Sequence, residues 1–164
     1  MPRRWYLSKK ESKKLRETIT GMYPNVPLEF EVVEKVIEKD LPEIIIVDKV
    51  PAFFIYEGKY YPLLTLLLSK GVEWVQRIVV VDMGAVKPLL RGADVMAPGI
   101  VGVKGAFEPG DPVVVLEEKY GKPFVVGKAL VSSKDLVEKK VTRGKAVENL
   151  HRVGDKIWEF VRRL

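Results

Sequence analysis

A chain of 164 residues can hold one ordinary domain or two small ones. With 47% apolar and 30% charged side chains it has the composition of a globular chain rather than a disordered one, and no apolar run approaches the roughly 18–20 residues of a membrane-spanning helix. The absence of cysteine excludes disulfides, thiolate metal sites and a cysteine nucleophile, and the formal charge of +6 favours partners that carry phosphate.

That charge is concentrated at one end. Residues 1–16 contain Arg3, Arg4, Lys9, Lys10, Lys13, Lys14 and Arg16 against Glu11 alone, and the remainder balances at 21 basic and 21 acidic side chains. Such a run suits an arm or helix that meets phosphate; the alternative is a solvated helix face. Ser8 to Glu11 fits a capping box, and Leu15, Ile19 and Met22 recur at helical spacing up to a candidate cap at Gly21. The first helix is therefore predicted to be amphipathic, with Lys9, Lys10, Lys13 and Lys14 turned away from its apolar stripe. Pro24 and Pro27 break the chain.

Leu28 to Val32 alternates and predicts a half-buried strand, Ile44 to Val47 a buried one. Phe53 to Tyr61 predicts a hairpin about Glu57-Gly58, and Pro62 to Ser69 a short helix with Pro62 near its first position and Gly71 beyond its end. A second unit begins near Trp74. Gln76 to Asp82 predicts a strand, Gly84 to Arg91 a short helix and Asp94 to Met96 an extended segment, followed by a turn at Pro98-Gly99. Asp111 to Glu118 and Pro123 to Val131 form a predicted hairpin about Lys119 to Lys122, Ser132 to Lys140 a turn or short helix, and Ala146-Val147 the start of a last strand. Periodicity does not place Asp155 to Phe160. No Gly/Ser linker separates the units, so they are expected to pack together.

The stretch from Asp82 to Ile100 runs strand, acidic residue, Gly84-Ala85, helix, then Gly92-Ala93-Asp94-Val95-Met96-Ala97-Pro98-Gly99. It resembles the opening of PUA domains. Gly110 to Val115 and Val126-Gly127-Lys128-Ala129 resemble that domain's paired strands, the second with an embedded glycine. The run Gly144 to Trp158, with Val147-Glu148-Asn149-Leu150-His151, is similar to the closing segment of the malignant-T-cell-amplified-sequence (MCT) family of translation-associated PUA proteins. The Phe-Ile-Tyr hairpin and the Tyr60-Tyr61-Pro62 entry to a Leu-rich helix resemble that family's N-terminal domain. The resemblance implies an α+β protein: a small α/β domain at residues 1–73 packed on a PUA pseudo-β-barrel at 74–164. It further implies contact with structured RNA, ribosomal or transfer RNA in translation. A SUI-type initiation-factor-like protein is the partner it suggests.

The residues themselves offer a mechanism. Gly92 and Gly99 lack a Cβ, so the main chain there can come close to a ligand, take φ > 0 and offer N–H groups to phosphate. Lys87 and Arg91, four apart, share a helix face, and a guanidinium can fork two phosphate oxygens. Ala93, Asp94 and Pro98 complete the segment, and Lys104 and Lys128 extend the candidate surface, with Lys9, Lys10, Lys13 and Lys14 as a second contact. Turn glycines, and an Asp94 that caps the chain or holds Arg91, are the structural alternatives. Trp5, Tyr6, Tyr23, Tyr60 and Tyr61 are possible stacking faces; one of Tyr60 and Tyr61 should be buried by alternation, and Trp74 and Trp158 read as core.

Catalytic chemistry is not expected. His151 is the only histidine and reads as a structural, hydrogen-bonding residue without companions for a metal. Glu117 and Glu118 are consecutive on a strand and point to opposite faces. Neither a P-loop nor a nucleophile elbow is present. The expectation is a cytoplasmic RNA-binding protein with no enzyme activity, cofactor, metal or membrane, and with a thermophile-like composition. Two rivals remain at this level. A protein-interaction adaptor would show an exposed apolar patch on the Phe53–Tyr61 hairpin. An accessory subunit of RNA modification would show a pocket lined by charge-shifted carboxylates.

Overall fold

The computed structural model describes residues 2–164. The first half builds a five-stranded antiparallel sheet in chain order, β1 (Arg3–Tyr6), β2 (Val33–Ile37), β3 (Ile44–Val47), β4 (Val50–Tyr56) and β5 (Lys59–Pro62). Helix α1 (Lys9–Met22) lies between β1 and β2, and α2 (Leu64–Lys70) follows β5. The capping box forms: Ser8 Oγ accepts from Glu11 N–H and Glu11 Oε1 accepts from Ser8 N–H. Leu15 and Ile19 are buried, which leaves Lys9, Lys10, Lys13, Lys14 and Arg16 exposed. Glu57 and Gly58 take φ of 49° and 77°, the left-handed pair that a two-residue hairpin requires. Alternation then buries Tyr61 and leaves Tyr60 half-buried.

The sequence pattern misplaced several elements. Leu28 to Val32 is irregular, and the strand starts at Val33, because Phe30 is buried at φ 61° and Val32 N–H donates to the Asp48 carboxylate instead of a ladder. Residues 3–6 form an edge strand paired with β2, not an arm or helix. Pro62 ends β5 opposite Phe53, and α2 opens two residues later. Tyr23 is a core residue, not a stacking face: it is fully buried against Phe53 and Trp74, and its hydroxyl donates to Tyr60 O. Trp158 is half-buried beneath Arg162.

The second half builds a six-stranded sheet from β6 (Arg77–Val81), β7 (Val95–Met96), β8 (Ile100–Gly105), β9 (Pro112–Glu117), β10 (Pro123–Ala129) and β11 (Lys145–Arg152), in the order β7-β11-β10-β9-β6-β8. Its outer strands, β7 and β8, are joined directly by the turn Ala97–Gly99, so the sheet curls into a half-barrel, the expected pseudo-β-barrel. Short helices α3 (Val86–Leu90) and α4 (Ser133–Val137) flank it, and α5 (Lys156–Arg162) follows β11. The segment that periodicity left unplaced is α5, started by Asp155, whose carboxylate accepts from Trp158 N–H.

One apolar core joins the halves: Phe53, Phe54, Leu64 and Leu67 pack in the same cluster as Ile78, Val114, Val126, Ile157 and Phe160. A second core, with Val79, Leu89, Val113, Val125 and Val147, fills the half-barrel. At the seam His151 does what its isolation in the sequence implied. Its Nε2 accepts from Leu64 N–H at the start of α2, and its Nδ1 lies 3.1 Å from the Asp155 carboxylate. Burial pushes the Asp155 carboxyl up, but the hydrogen bond from His151, with the N–H groups of Trp158 and Arg152, holds it below the ordinary range.

Asp155 is therefore bound more tightly as a carboxylate in the folded chain than in the unfolded one. Its contribution is complete above the ordinary aspartate value of about 3.9 and is lost as pH falls through its lower folded value. Asp155→Ala should cost about 2–3 kcal/mol at neutral pH, and its unfolding free energy should decline less than the wild type's between about pH 5 and pH 2. Denaturant titrations across that range check both statements.

Candidate nucleic-acid interface

Helix α3 is only five residues long and cannot hold itself together. Asp82 accepts from Ala85 N–H and fixes the turn that feeds it. At its other end β11 supplies further donors. Asn149 Nδ2 donates to Leu89 O (3.0 Å) and Ala93 O (2.9 Å), and Arg152 Nε donates to Leu90 O (3.1 Å). The backbone turns at Gly92 with φ 102°, and a Cβ there would meet the Arg152 guanidinium at 3.3 Å. Gly92 thus serves two needs at once, a left-handed turn and room for a cation over the main chain.

A register shift on β11 makes this possible. Val126 pairs with His151 but Gly127 pairs with Asn149, so Leu150 is an extra residue. Strand alternation would put Asn149 and His151 on one face; after the shift Asn149 reaches α3 while His151 reaches α2. Gly127 allows the close approach, since a Cβ there would lie 2.1 Å from Glu148 O.

The expected residues fall into groups. Lys87 and Arg91 are exposed on α3 and its cap, and neither forms an ion pair among the described residues; the same holds for Arg152, which is half-buried. Gly92, Ala93 and Asp94 lie beside them. Asp94 does not hold Arg91: its carboxylate accepts from Asn149 N–H and pairs with Lys145 at 3.1 Å. The N–H groups of Gly92 and Ala93 already donate to Leu89 O and Pro88 O, so no open backbone nest exists there. Pro98 is exposed on the turn to β8, and Gly99 rests on Ala85 without a positive φ.

Two lysines lie elsewhere. Lys128 reaches Glu57 (3.3 Å) and Glu148 (3.5 Å), and these carboxylates raise its pKa. Its charge is spent at the seam between the halves. Lys104 lies at the far end of β8, opposite Ile78, in a cleft shared with Arg77 and Gln76. Lys9 and Lys13 line a shallow groove with Arg16 on α1, again away from α3. Arg152, Asn149 and Lys145 were missed by sequence reasoning. The Val-Glu-Asn-Leu-His run pointed at this strand, but only the register shift turns its polar side chains toward α3.

The rivals' signatures are present only in part. Phe53, Phe54 and Tyr61 are buried, but Ile55 and Tyr56 are half-buried and line a cleft with Leu41, Pro42, Leu150 and Ile157. The carboxyls held low are Glu11, Glu57, Glu117 and Asp155; Glu57 and Asp155 both line that cleft, and each of the four is explained by a local donor: Ser8, Tyr56, the loop amides after Glu117, and His151. Among the described residues no group of His, Cys, Asp and Glu could hold a metal ion, and no helix is long and apolar enough to cross a membrane.

Comparison with known proteins follows the same division. A family profile for the PUA domain matches residues 77–153, and one described as a domain of unknown function (DUF1947) matches residues 3–70. An uncharacterized protein of Methanocaldococcus jannaschii is 42% identical over 163 residues, 96% of either chain. Translation machinery-associated protein 20 of Schizosaccharomyces pombe is 34% identical over 65% of this chain and 59% of its own length. Malignant T-cell-amplified sequence 1 of Rattus norvegicus is 32% identical over 63% of this chain, and the match spans 57% of that protein. The crystal structure of a PUA domain from Aeropyrum pernix, a tartrate complex, superposes with a TM-score of 0.86 at 37% identity, covering 99% of this chain and 92% of that one.

Asn149→Ala removes the donors to a half-buried carbonyl, Leu89 O, and an exposed one, Ala93 O, and should cost about 1–2 kcal/mol. The loss should be local as well as global: in hydrogen exchange, the amides of Arg91 to Ala93 should open faster than those of α2. Unchanged protection there would show that α3 does not depend on β11.

Proposed function

This chain belongs to the malignant-T-cell-amplified-sequence family of PUA-domain proteins, and from that premise we propose that it binds structured RNA in a translation-related role. The observation that carries the reading is the group of unpaired cations Lys87, Arg91 and Arg152 around the end of α3. Opposite charge is absent from their immediate pairings, and a guanidinium lies on the main chain at Gly92.

The residues divide the work. Arg91 and Arg152 present planar forks to phosphate oxygens, and Lys87 adds a point charge on the same helix. Gly92 and Ala93 keep the surface shallow enough for a sugar–phosphate strand to lie along it. Asp94 acts through others, holding Lys145 and the β11 backbone in place. Pro98 and Gly99 border the surface without a contact of their own. Lys104 and Lys128 lie outside it. The cations of α1, namely Lys9, Lys10, Lys13 and Lys14, form a second contact on the unit of residues 1–73, apart from the first on 74–164. Trp5, 36% exposed on β1 beneath the Arg3 guanidinium, offers a ring beside them.

Ribosomal or transfer RNA is the class of ligand, the cytoplasm the compartment, and a SUI-domain initiation-factor-like protein the partner, all taken from the family. The mechanism is positioning, without bond making or breaking: a rigid, cationic surface fixes the RNA by its backbone.

Binding of unfractionated transfer RNA and of ribosomal RNA fragments, measured at two salt concentrations, tests this. Arg91→Glu should weaken binding about tenfold or more and flatten the salt dependence, because each lost phosphate contact removes roughly 0.7–0.9 from the log–log slope. Replacing Lys9, Lys10, Lys13 and Lys14 by Gln should flatten it independently. Wild-type protein that binds neither RNA, or binds with no salt slope, refutes the reading.

A further inference from the structure

We propose that the tip between β9 and β10, residues Glu118–Lys122, is a further RNA-binding element in which Tyr120 stacks on an exposed nucleobase. The proposal rests on the RNA-binding reading and extends it to a site away from α3.

Tyr120 is 68% exposed, the most exposed aromatic side chain of the described residues, and nothing in the fold uses its ring. The Lys119 ammonium lies 5.2 Å from the ring centroid on one side. A ring with a cation on one face and solvent on the other suits a π-stacked base next to a phosphate. Lys119 and Lys122 form no ion pair among the described residues. Glu118 is the one exposed acid of the tip.

The tip is held rigid at a cost. Glu117, the last residue of β9, is 7% exposed, yet its carboxylate has no cation partner. It accepts instead from the N–H groups of Tyr120, Gly121 and Lys122, the last two at 3.2 Å. Burial pushes its carboxyl up, but the amides of Tyr120, Lys122, Gly121 and Lys119 outweigh this and hold it below the ordinary range. A tight hairpin closes without a buried charge, as Glu57-Gly58 does between β4 and β5. What the carboxylate adds is a fixed loop shape, and with it a fixed position for Tyr120. An aromatic side chain carried on an ordered backbone has less freedom to lose on binding than one on a loose loop.

The location fits the same ligand. Glu118 N–H donates to Val81 O, and Val81 leads through Asp82 into α3. On the other side β10 opens beside the end of β11, with Val153 N–H donating to Phe124 O and Val125 facing Arg152. The tip and the cations of α3 therefore stand at one end of the half-barrel.

The test measures the affinity of unfractionated transfer RNA for the full chain at two salt concentrations, with unfolding midpoints as a control for folding. Because a base–aromatic stack contributes no counterion release, Tyr120→Ala should weaken binding about fivefold or more with an unchanged salt slope, and Tyr120→Phe should stay within about twofold of wild type. Glu117→Gln should speed hydrogen exchange at Tyr120 to Lys122 and reproduce part of the loss. If Tyr120→Ala binds as well as wild type while Arg91→Glu does not, the tip is no binding element and the α3 reading stands. If Tyr120→Phe loses as much as Tyr120→Ala, stacking is wrong. If Glu117→Gln loosens the tip without loss of affinity, its rigidity serves nothing. Wild-type protein that binds no RNA removes both proposals together.

Discussion

The surface at α3 exists because a strand distant in sequence satisfies a helix too short to satisfy itself. Backbone N–H groups of Arg91, Gly92 and Ala93 reach the Lys87, Pro88 and Leu89 carbonyls of this five-residue helix, but an isolated turn of this length would melt in water. Asn149 and Arg152 bind three carbonyls across the turn from Leu89 to Ala93. The same hydrogen bonds that hold α3 place the Arg152 guanidinium over Gly92. Structural support and cationic display are therefore not separable at Arg152, whereas Arg91 carries charge without supporting anything.

Behind this lies the extra residue in β11. Were Leu150 in regular register instead of bulged, His151 and Asn149 would share one face, and either the seam to α2 or the support of α3 would be lost. With the bulge, one strand stabilises two contacts of different kinds. Leu64 N–H finds an acceptor in a buried imidazole, and the Asp155 carboxylate fixes that imidazole's other nitrogen while capping α5. The continuous core across the halves follows the same seam, so their relative placement rests on apolar burial as well as on His151.

How much of this the sequence carried depends on how local each signal was. The capping box at Ser8, the Glu57-Gly58 hairpin and the buried run Ile44 to Val47 are decided by neighbouring residues, and they form as written. Arg3 to Tyr6 has no alternation to read, because all four side chains are exposed and only pairing with β2 makes it a strand. Leu28 to Val32 alternates by accident: Phe30 enters the core from a left-handed turn. Strand β8 contains Gly102 and Gly105 and was obscured by them. In the site, Lys87, Arg91 and Gly92 were legible from their spacing and from the family resemblance. Arg152, Asn149 and the neutralised state of Lys128 were not, since each depends on contacts 55 to 71 residues away.

The two groups of free cations have different physical backgrounds, and this shapes what an RNA ligand would meet. Those on α1 stand on an exposed helix face, where water and salt screen them and contact is loose and long-ranged. Those at α3 are anchored: the Arg152 Nε is tied to a carbonyl, and Arg91 is the capping residue of a helix pinned by Asn149. A guanidinium fixed in this way gives up less freedom when it takes a phosphate, so it contributes orientation as well as attraction. On the RNA-binding reading, α1 accounts for encounter and α3 for register. The covalent and apolar connection between the halves then makes the second contact intramolecular once the first has formed, which raises affinity without any new interaction.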